Sequence, residues 1–395
     1  MGSKLVFVRS GENIISGLID NNSLVEVQVE KADTESLIGN IYLGKVQNIV
    51  KNINAAFVEI ENKQMCYLSL ADMKNPVFSN DDHPGKLRVG DELVVQVTKE
   101  NSKYKAPLAT TEFNLTGKYA ILVHGRKALG ISQKITDAEQ RRHIKELVKP
   151  YITEQYGFIM RTNAAAAPDD ILEQELARLV REYRNIVEFG VHWNCFTRLY
   201  STPPSYIWEI RDSYSDEIEE IKTDDGELYE QIREYLRLYQ PEDIPKLKLH
   251  NDESISLNKL YAIDEKLSKA LYERVWLASG AYLVIQPTEA CTVIDVNTGK
   301  SIAGKTNPEE TFINVNLEAA EEIARQMRLR NLSGIIIVDF IDMEEEANRH
   351  RLMKHLETQL ERDHIPTKVV DMTALNLVEI TRKKIRKPLA EQLRG

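Results

Sequence analysis

The chain lacks long apolar runs and lacks a leader pattern at its start. Its 395 residues are 42% hydrophobic, yet no uninterrupted apolar stretch approaches the ~20 residues that cross a bilayer. The opening residues, MGSKLVFVRSGENII, do not show the charged start, apolar core and cleavage site of a secretory signal. We therefore expect a cytoplasmic protein with no membrane segment, long enough for about two to four domains.

Cysteine is scarce and forms no recognisable motif. Cys66, Cys195 and Cys291 are far apart in sequence, and no two of them make a CxxC pair. This spacing argues against a disulfide framework and against a cysteine zinc site within one chain. Buried free thiols are expected instead.

The charge is unevenly spread. The net charge of −10 disfavours nucleic-acid binding only if it is uniform, because local patches set phosphate affinity. Residues 209–230 are heavily acidic, and we expect them to form a solvated helical face or loop. A basic cluster lies at 382–387, comprising Arg382, Lys383, Lys384, Arg386 and Lys387. It suits either phosphate contact or an ordinary solvated end near a helix C-terminus.

Two apolar segments end in aspartate, and they are the most informative feature of the chain. The segments are CTVIDVNTGK (291–300) and GIIIVDFIDM (334–343), in which the apolar runs end at Asp295 and Asp339. Short Ile/Val-rich runs without charge are typical of buried strands. Ligands usually bind at the ends of such strands in α/β folds.

Two such carboxylates on neighbouring strands would repel each other, by about 4 kcal/mol at ~4 Å and an effective dielectric of ~20. A divalent cation removes that cost, and oxygen ligands suit Mg²⁺ or Mn²⁺. The pattern therefore predicts a carboxylate metal site for phosphodiester chemistry, and the nearby Asn297 and Asp342 strengthen it. The alternative is that each Asp is a helix cap or turn former.

Residues 35–111 predict a small closed barrel. Five short alternating segments are separated by Gly, Asn and Asp turns, and their number and length suit an OB-fold. Phe57 and Tyr67 fall on adjacent predicted strands. The interleaved lysines are Lys45, Lys51, Lys63 and Lys105. Aromatics flanked by cations form a stacking platform for single-stranded nucleic acid. The alternative places Phe57 in the core, because AAFVEI is an apolar run.

The segments before and after the barrel alternate between strands and helices. Residues 1–34 predict two or three antiparallel strands with a turn at Asn21 and Asn22. A long helix is expected to start near Pro168. Just before it, Arg161 and Thr162 end a strand, where they suit an anion or are simply a surface Arg and a turn Thr.

From residue 271 the alternation of strand and helix predicts a layered sheet. The helix NLEAAEEIARQMRLRN is expected to begin with Asn316 as its N-cap. Its predicted buried stripe comprises Leu317, Ala320, Ala324 and Met327.

These motifs together resemble the ribonuclease E/G family of bacterial endoribonucleases, which process and degrade RNA. The resemblance is strongest over IDVN (294–297), residues 309–343 and LVEITRKK (377–384). It is weaker over the barrel, which resembles the S1 domain of the family, and over MRT (160–162). It covers nearly the whole chain.

The resemblance implies a multidomain α/β and α+β fold. It implies an RNase H-like subdomain built from 1–34 and 207–270, with an S1 domain (OB-fold) inserted at 35–111. A 5′-sensor region at 112–206 and a DNase I-like α/β catalytic subdomain at 271–395 follow. The discontinuity of the first subdomain comes from the resemblance alone.

The resemblance also implies residue roles. Asp295 and Asp339 match Mg²⁺-binding carboxylates, and Asn297 matches a residue that orients the site. The hydrated metal would position and polarise a water for in-line attack on the phosphate, leaving 5′-phosphate and 3′-hydroxyl ends. The implied RNA contacts are Phe57, Tyr67 and Lys105 in the S1 domain, Arg161 and Thr162 around a 5′-monophosphate, and Gly117 and Ile121 as the backbone wall of that pocket.

The chain departs from the family pattern in two places. No CPxC motif follows LVEIT, so a zinc-linked dimer is not expected, and a homo-oligomer would need another route. Gln133 stands where relatives have Arg, and RTNAAAAPDD lacks a basic residue after RT. Strict sensing of a 5′-monophosphate is therefore not implied.

The leading hypothesis is a Mg²⁺-dependent endoribonuclease acting on single-stranded RNA, including rRNA precursors, in RNA processing and turnover. One alternative is a non-catalytic RNA-binding protein of the same fold. Another is a metal-dependent enzyme for a small phosphate ester, with the barrel as an oligomerisation module.

Overall fold

The computed structural model describes most of the chain. The described residues are 2–32, 36–80, 86–99, 106–212, 218–252, 254–299 and 308–394. The chain folds into two compact units. The first unit comprises Met1–Thr34, Asp212–Glu234 and Glu242–Gly395, and the second unit comprises Glu35–Arg211 and Tyr235–Pro241.

The described residues form 21 strands. The strands are β1 (Ser3–Ser10), β2 (Asn13–Asp20), β3 (Ser23–Lys31), β4 (Ile41–Val50), β5 (Ala55–Glu59), β6 (Met65–Ser69), β7 (Glu92–Lys99), β8 (Leu108–Thr110), β9 (Asn114–Thr116), β10 (Ala120–His124), β11 (Leu129–Ile131), β12 (Tyr156–Met160), β13 (Arg198–Tyr200), β14 (Ile218–Thr223), β15 (Leu247–Leu249), β16 (Arg274–Trp276), β17 (Tyr282–Pro287), β18 (Cys291–Asn297), β19 (Gly334–Asp339), β20 (Thr367–Met372) and β21 (Leu377–Arg382).

The same residues form nine α-helices. The helices are α1 (Ala138–Val148), α2 (Asp169–Arg184), α3 (Trp208–Asp212), α4 (Gly226–Tyr239), α5 (Leu257–Tyr261), α6 (Ile263–Lys269), α7 (Pro308–Leu329), α8 (Glu346–Leu360) and α9 (Leu389–Gln392). None of these helices is long and apolar enough to span a membrane.

The first unit contains a five-stranded sheet in the order β15-β14-β1-β2-β3. Strands β1, β2 and β3 form an antiparallel meander. Asn21 and Asn22, with φ of 45° and 65°, make the turn between β2 and β3. Asparagine tolerates this left-handed conformation, which matches the twist of a tight hairpin. The predicted antiparallel strands and their turn are confirmed.

The same sheet joins distant parts of the sequence, because β1 runs parallel to β14 and β14 runs parallel to β15. The acidic stretch 209–230 was expected to be a solvated helical face or loop, and this is wrong for its middle part, which is β14. The strand forms there because Ile218 and Ile221 bury their side chains while Glu220 between them pairs with lysines.

Glu220 pairs with lysines from three strands. Its carboxylate lies 3.0 Å from Lys4 Nζ of β1 and 2.8 Å from Lys222 Nζ of β14, and it also pairs with Lys248 of β15. Hydrogen bonds from Lys222, Lys248 and Lys4, working against burial, lower the pKa of Glu220 to about 2. One carboxylate therefore links three strands of the sheet.

The second sheet of the first unit has the order β16-β17-β18-β19-β21-β20. Only β18 and β19 among neighbouring strands are parallel. One face of the sheet packs on α7 and α8 in a single apolar core. The sheet residues of that core include Leu283, Ile285, Ile294, Val296, Ile336, Val338, Val378 and Ile380. The predicted alternation of strand and helix is confirmed.

The second unit contains a closed barrel. Its strands follow the order β4-β5-β6-β8-β7, β4 pairs again with β7, and β13 adds to the outside of β4. Small and branched side chains fill the interior, including Val46, Ala56, Val58, Cys66, Leu68, Val95 and Val97. A five-stranded barrel fits an OB-fold, so the predicted barrel is confirmed.

A four-stranded sheet, β11-β12-β10-β9, follows the barrel in the second unit, and it shares a core with α1 and α2. Helix α2 begins at Asp169, directly after Pro168, as predicted. The α-helix ends at Arg184 and is followed directly by a π-helical stretch, Asn185–Phe189.

The three cysteines are free thiols, as expected. Only Cys66 is buried, and Cys195 and Cys291 are half-buried, so the expectation of burial is correct for one of the three. Burial in the barrel raises the pKa of Cys66 to about 12. Its thiol is therefore unreactive near neutral pH.

We predict that Glu220 makes the stability of the first unit depend on pH. Its folded pKa is depressed, so the ion pairs stabilise the fold fully above pH ~4.5, and this stability is lost as the pH falls towards ~2. Because the group is partly solvated, the loss should be about 1 kcal/mol. Urea unfolding of Glu220→Gln and wild type at pH ~7 and ~3 measures it. The exposed neighbour Glu219 supplies the control Glu219→Gln. Parallel losses in wild type and Glu220→Gln would contradict the prediction.

Candidate active site

The two predicted carboxylates lie side by side. Strand β18 pairs in parallel with β19, and Asp295 is the direct register partner of Asp339. Adjacent strands are ~4.8 Å apart, and paired residues project from the same face. Ile294 and Val338 beside them enter the core, so the two aspartates project from the opposite, accessible face.

Asn297 belongs to the same cluster. It lies two residues after Asp295 on β18, so it shares the face of that residue. Its side-chain Nδ2 donates a hydrogen bond to Asp295 Oδ2 at 2.6 Å. The bond engages one carboxylate oxygen and fixes the plane of the group, which is an orienting contact.

The electrostatics of the cluster favour a cation. Burial raises the pKa of Asp339, and the negative charges of Asp295 and Asp342 raise it further. Asn376 Nδ2 donates to Asp342 Oδ1 at 3.2 Å, which holds the third carboxylate nearby. Like charges close to one another disfavour ionisation, and a bound divalent cation would relieve their repulsion.

The donor set suits magnesium. Across the described part of the chain, no three His, Cys, Asp or Glu side chains form a metal cage. The candidate ligands are the two carboxylates that the register brings together, Asp295 and Asp339. Mg²⁺ commonly binds through one or two carboxylates and keeps several waters, so a site of two carboxylates is sufficient for it.

Asn316 supports the end of β19, a role that was not predicted. Its fully buried side chain donates from Nδ2 to the Ile341 carbonyl at 2.8 Å and accepts from the Ile341 N–H at 3.0 Å. These bonds fix the chain two residues after Asp339. The prediction that Asn316 is an N-cap is wrong, because α7 begins at Pro308 and the amide is committed to another segment. An amide inside the apolar stripe of a helix was the available clue.

The barrel carries the predicted aromatic pair. Phe57 on β5 and Tyr67 on β6 are register partners, with ring centroids 6.1 Å apart at an interplanar angle of 84°. Both are half-buried and alternate with core residues such as Val58 and Cys66. The alternative that Phe57 is a core residue is therefore wrong.

The interleaved lysines differ in their surroundings. Lys51 and Lys63 are exposed, whereas Lys45 pairs with Glu92 at 3.3 Å. Lys105 lies outside the described residues, so its predicted RNA contact stays a prediction.

The predicted 5′-sensor residues lie close to the loop 117–120, which we call the sensor loop. Arg161 Nη1 donates to the Gly117 carbonyl at 2.8 Å, and the Thr162 and Ser132 hydroxyls are 2.9 Å apart. Ile121 lies on β10, where it pairs with Ile159 of β12. The structure thus brings Arg161 to Gly117 and adds Ser132 as a partner of Thr162.

Glu175 of α2 fixes the loop 117–120 through hydrogen bonds, a role that was not predicted from the sequence. Its buried carboxylate accepts hydrogen bonds from the backbone N–H groups of Lys118, Tyr119 and Ala120, at 2.8–2.9 Å. A Cβ at Gly117 would lie 2.4 Å from the Glu175 carboxyl carbon, so only glycine allows this approach.

The basic cluster at 382–387 divides into two parts. Arg382 is buried, and its guanidinium pairs with Asp363 at 2.6 Å and donates to Asn331 Oδ1 at 2.7 Å. Arg382 is therefore structural, and a phosphate contact by it is ruled out in this fold. Lys383, Lys384 and Lys387 are exposed and remain candidates for phosphate contact.

Comparison with known proteins gives matches to two family models. Residues 114–385 match the model of the Ribonuclease E/G family, and residues 37–109 match the S1 RNA binding domain. The first match alone covers more than half of the chain. The chain belongs to the ribonuclease E/G family.

Several curated family members are similar along almost the whole chain. Ribonuclease G of Haemophilus influenzae is 34% identical over 386 residues, which is 95% of this chain and 78% of the relative. Ribonuclease G of Escherichia coli is 34% identical over 385 residues, with the same coverage. A Ribonuclease E/G-like protein of Porphyra purpurea is 32% identical over 375 residues, 92% of this chain and 73% of the relative. The resemblance predicted from the sequence motifs and the S1 domain are both confirmed.

We predict that Asn316→Ala destabilises the protein and slows catalysis. The substitution leaves the buried N–H and carbonyl of Ile341 without partners, at a cost of about 2–3 kcal/mol, and frees the chain that positions Asp339. Unfolding in urea and single-turnover rates on RNA measure both effects. Asn314→Ala on an exposed position of the same helix is the control. Equal behaviour of the two variants would show that the amide clamp has no role.

We predict that Glu175→Ala loosens the loop 117–120. Three buried N–H groups lose their acceptor, so hydrogen exchange at Lys118, Tyr119 and Ala120 should accelerate at least about tenfold. Glu175→Gln, which keeps one acceptor oxygen, should show a smaller effect, and exposed Glu173→Ala none. Unchanged protection in Glu175→Ala would mean that the loop is held by other contacts.

Proposed function

We propose that this ribonuclease E/G family member is a Mg²⁺-dependent endoribonuclease, with Mn²⁺ as an alternative metal, that cleaves single-stranded RNA to 5′-phosphate and 3′-hydroxyl ends. The observation that carries the proposal is the register pairing of Asp295 with Asp339 on an accessible sheet face. Family membership and the S1 domain support RNA as the substrate.

Each residue of the cluster has a distinct task in this proposal. Asp295 and Asp339 bind the metal through carboxylate oxygens. Asn297 holds the Asp295 carboxylate in one orientation, so that less reorganisation is needed when RNA arrives. Asn316 keeps the end of β19 in place. A metal ion bound there supplies positive charge for the attacked phosphate and lowers the pKa of water.

The barrel and the sensor loop supply RNA contacts in the proposal. Phe57 and Tyr67 offer aromatic surface for stacking of unpaired bases, and the resemblance adds Lys105. Arg161, whose guanidinium donates to the Gly117 carbonyl, and Thr162 would bind a terminal phosphate, as the family resemblance implies. The relatives' name, Ribonuclease G, states that those proteins act on RNA. The substrates that we propose for this chain include rRNA precursors and messenger RNA.

The sheets support the subdomain architecture that the resemblance implies. A sheet that unites β1–β3 with β14 and β15 supports a discontinuous RNase H-like subdomain from 1–34 and 207–270. The six-stranded sheet with α7 and α8 supports a DNase I-like subdomain at 271–395.

We predict that Asp295→Asn and Asp339→Asn each lower the single-turnover cleavage rate about a thousandfold or more, because the metal loses a charged ligand. RNA affinity should change less than about threefold. The assay uses a 5′-monophosphorylated, A/U-rich single-stranded RNA with Mg²⁺, and EDTA should abolish the reaction. Asp371→Asn, an exposed aspartate of the same sheet, is the matched control.

Cleavage that survives both substitutions would refute the site assignment. Tight RNA binding by the wild type without Mg²⁺-dependent products would instead identify a non-catalytic RNA-binding protein of the same fold. Binding that does not weaken with salt would argue against RNA altogether, because phosphate contacts release counterions.

A further inference from the structure

The sheet face that carries the carboxylate pair also carries a group of aromatic and cationic side chains. Trp276 on β16 is the register partner of Tyr282 on β17, and Tyr282 is the register partner of Asn297 on β18. Paired residues project from one face of a sheet. The indole of Trp276 therefore lies on the same face as the amide that orients Asp295.

The three side chains of this group contact one another. The Trp276 and Tyr282 ring centroids are 5.1 Å apart. The Arg274 guanidinium lies 4.5 Å from the Tyr282 centroid and 5.8 Å from the Trp276 centroid. We call these three residues the Trp276 group. Despite these contacts Trp276 remains 63% exposed, so much of the indole surface is open to a further partner.

The distance to the carboxylates suits a nucleotide chain. Arg274 pairs with Val284, and Val284 pairs with Asp295, so the row from Arg274 to Asp339 crosses four neighbouring strands. Arg274 is two strands from Asp295, which is roughly 10 Å at ~4.8 Å per strand. An RNA strand with one phosphate at the carboxylate pair can therefore place a neighbouring base over the Trp276 group.

We propose that the Trp276 group is a stacking subsite for an unpaired nucleobase close to the cleaved bond. This inference rests on the proposed ribonuclease function. The indole supplies a flat apolar surface that every base can stack on, and Arg274 supplies a cation for the adjoining phosphate. The site selects single-stranded RNA, because a base paired in a duplex cannot turn its face to the indole.

A second copy of this chain is the competing occupant, since Ile335 and Val293 on the same face are also exposed. RNA is favoured over it by charge. A self-interface over this face would bury Arg274, Asp295 and Asp339, and burial of charges without matched partners is costly. An RNA strand keeps these charges in contact with phosphate, cation and water.

The test compares wild type, Trp276→Ala and Trp276→Phe on intact RNA and on RNAs with a single abasic nucleotide at each position around the cut. Trp276→Ala should lower kcat/KM on intact RNA about five- to a hundredfold, the range that base stacking spans. Trp276→Phe should retain most of the rate. One abasic position should cost the wild type a similar factor and cost Trp276→Ala little, as expected of coupled partners.

Trp193→Ala, which removes another exposed indole, is the control and should match the wild type. Wild-type rates for Trp276→Ala on every RNA, or equal abasic losses in both proteins, would overturn the subsite and leave the ribonuclease proposal intact. A change in solution mass on Trp276→Ala would also overturn it, in favour of a self-interface.

If the wild type cuts no RNA, the proposed function fails. The affinities of wild type and Trp276→Ala for the same RNA series then show whether the stacking subsite exists. Weaker binding of intact RNA by Trp276→Ala, with no further loss at one abasic position, would support the subsite without catalysis. Unchanged affinity would overturn it.

Discussion

The parallel pairing of β18 with β19 is the constraint on which the candidate site depends. It aligns Asp295 with Asp339, so two like charges project from neighbouring strands of one face. The apolar residues that alternate with the aspartates along β18 and β19 enter the core with α7 and α8. The hydrophobic core thus holds the register, and the register holds the two carboxylates together against their repulsion.

Amides, and not further charges, support this arrangement. Asn297 donates to Asp295, Asn316 binds both backbone groups of Ile341, and Asn376 donates to Asp342. An amide can donate and accept without changing the net charge of the site. These amides restrict the positions of the carboxylates without adding positive charge that would compete with a cation. The loop 117–120 is fixed differently, by a carboxylate in place of an amide. There the buried side chain of Glu175 accepts hydrogen bonds from three backbone N–H groups.

The features that were predicted correctly from the sequence are those that depend on a short stretch of neighbouring residues. Two apolar strands ending in Asp295 and Asp339, the turn at Asn21 and Asn22, and the alternating segments of the barrel each depend on neighbours within a few residues. The structure bears these out as elements. The parallel pairing of β1 with β14 spans more than two hundred residues, and no local pattern encodes it. The family resemblance implied that the two segments share a subdomain, but not how their strands pair.

The errors have the same physical origin. Arg382 belongs to a run of basic residues, and its burial depends on Asp363, which another segment supplies. Asn316 has a residue type and position suitable for a cap. Its partner Ile341, however, lies 25 residues later in the sequence, after strand β19. Glu220 was assigned to a solvated stretch because its lysine partners on β1 and β15 are distant in sequence. In each of these three cases the side chain was misjudged because its partner came from another segment of the chain.

The discontinuous sheet has a consequence for biosynthesis. Strand β1 leaves the ribosome early, but its parallel neighbour β14 begins only at Ile218, and the whole barrel with its aromatic pair is made in between. At ordinary translation rates of roughly 5–20 residues per second, the N-terminal meander waits about ten seconds or more before the edge of β1 is paired. During that interval a nascent chain can already display the S1 surface, while the strands that carry the two aspartates have not yet been made.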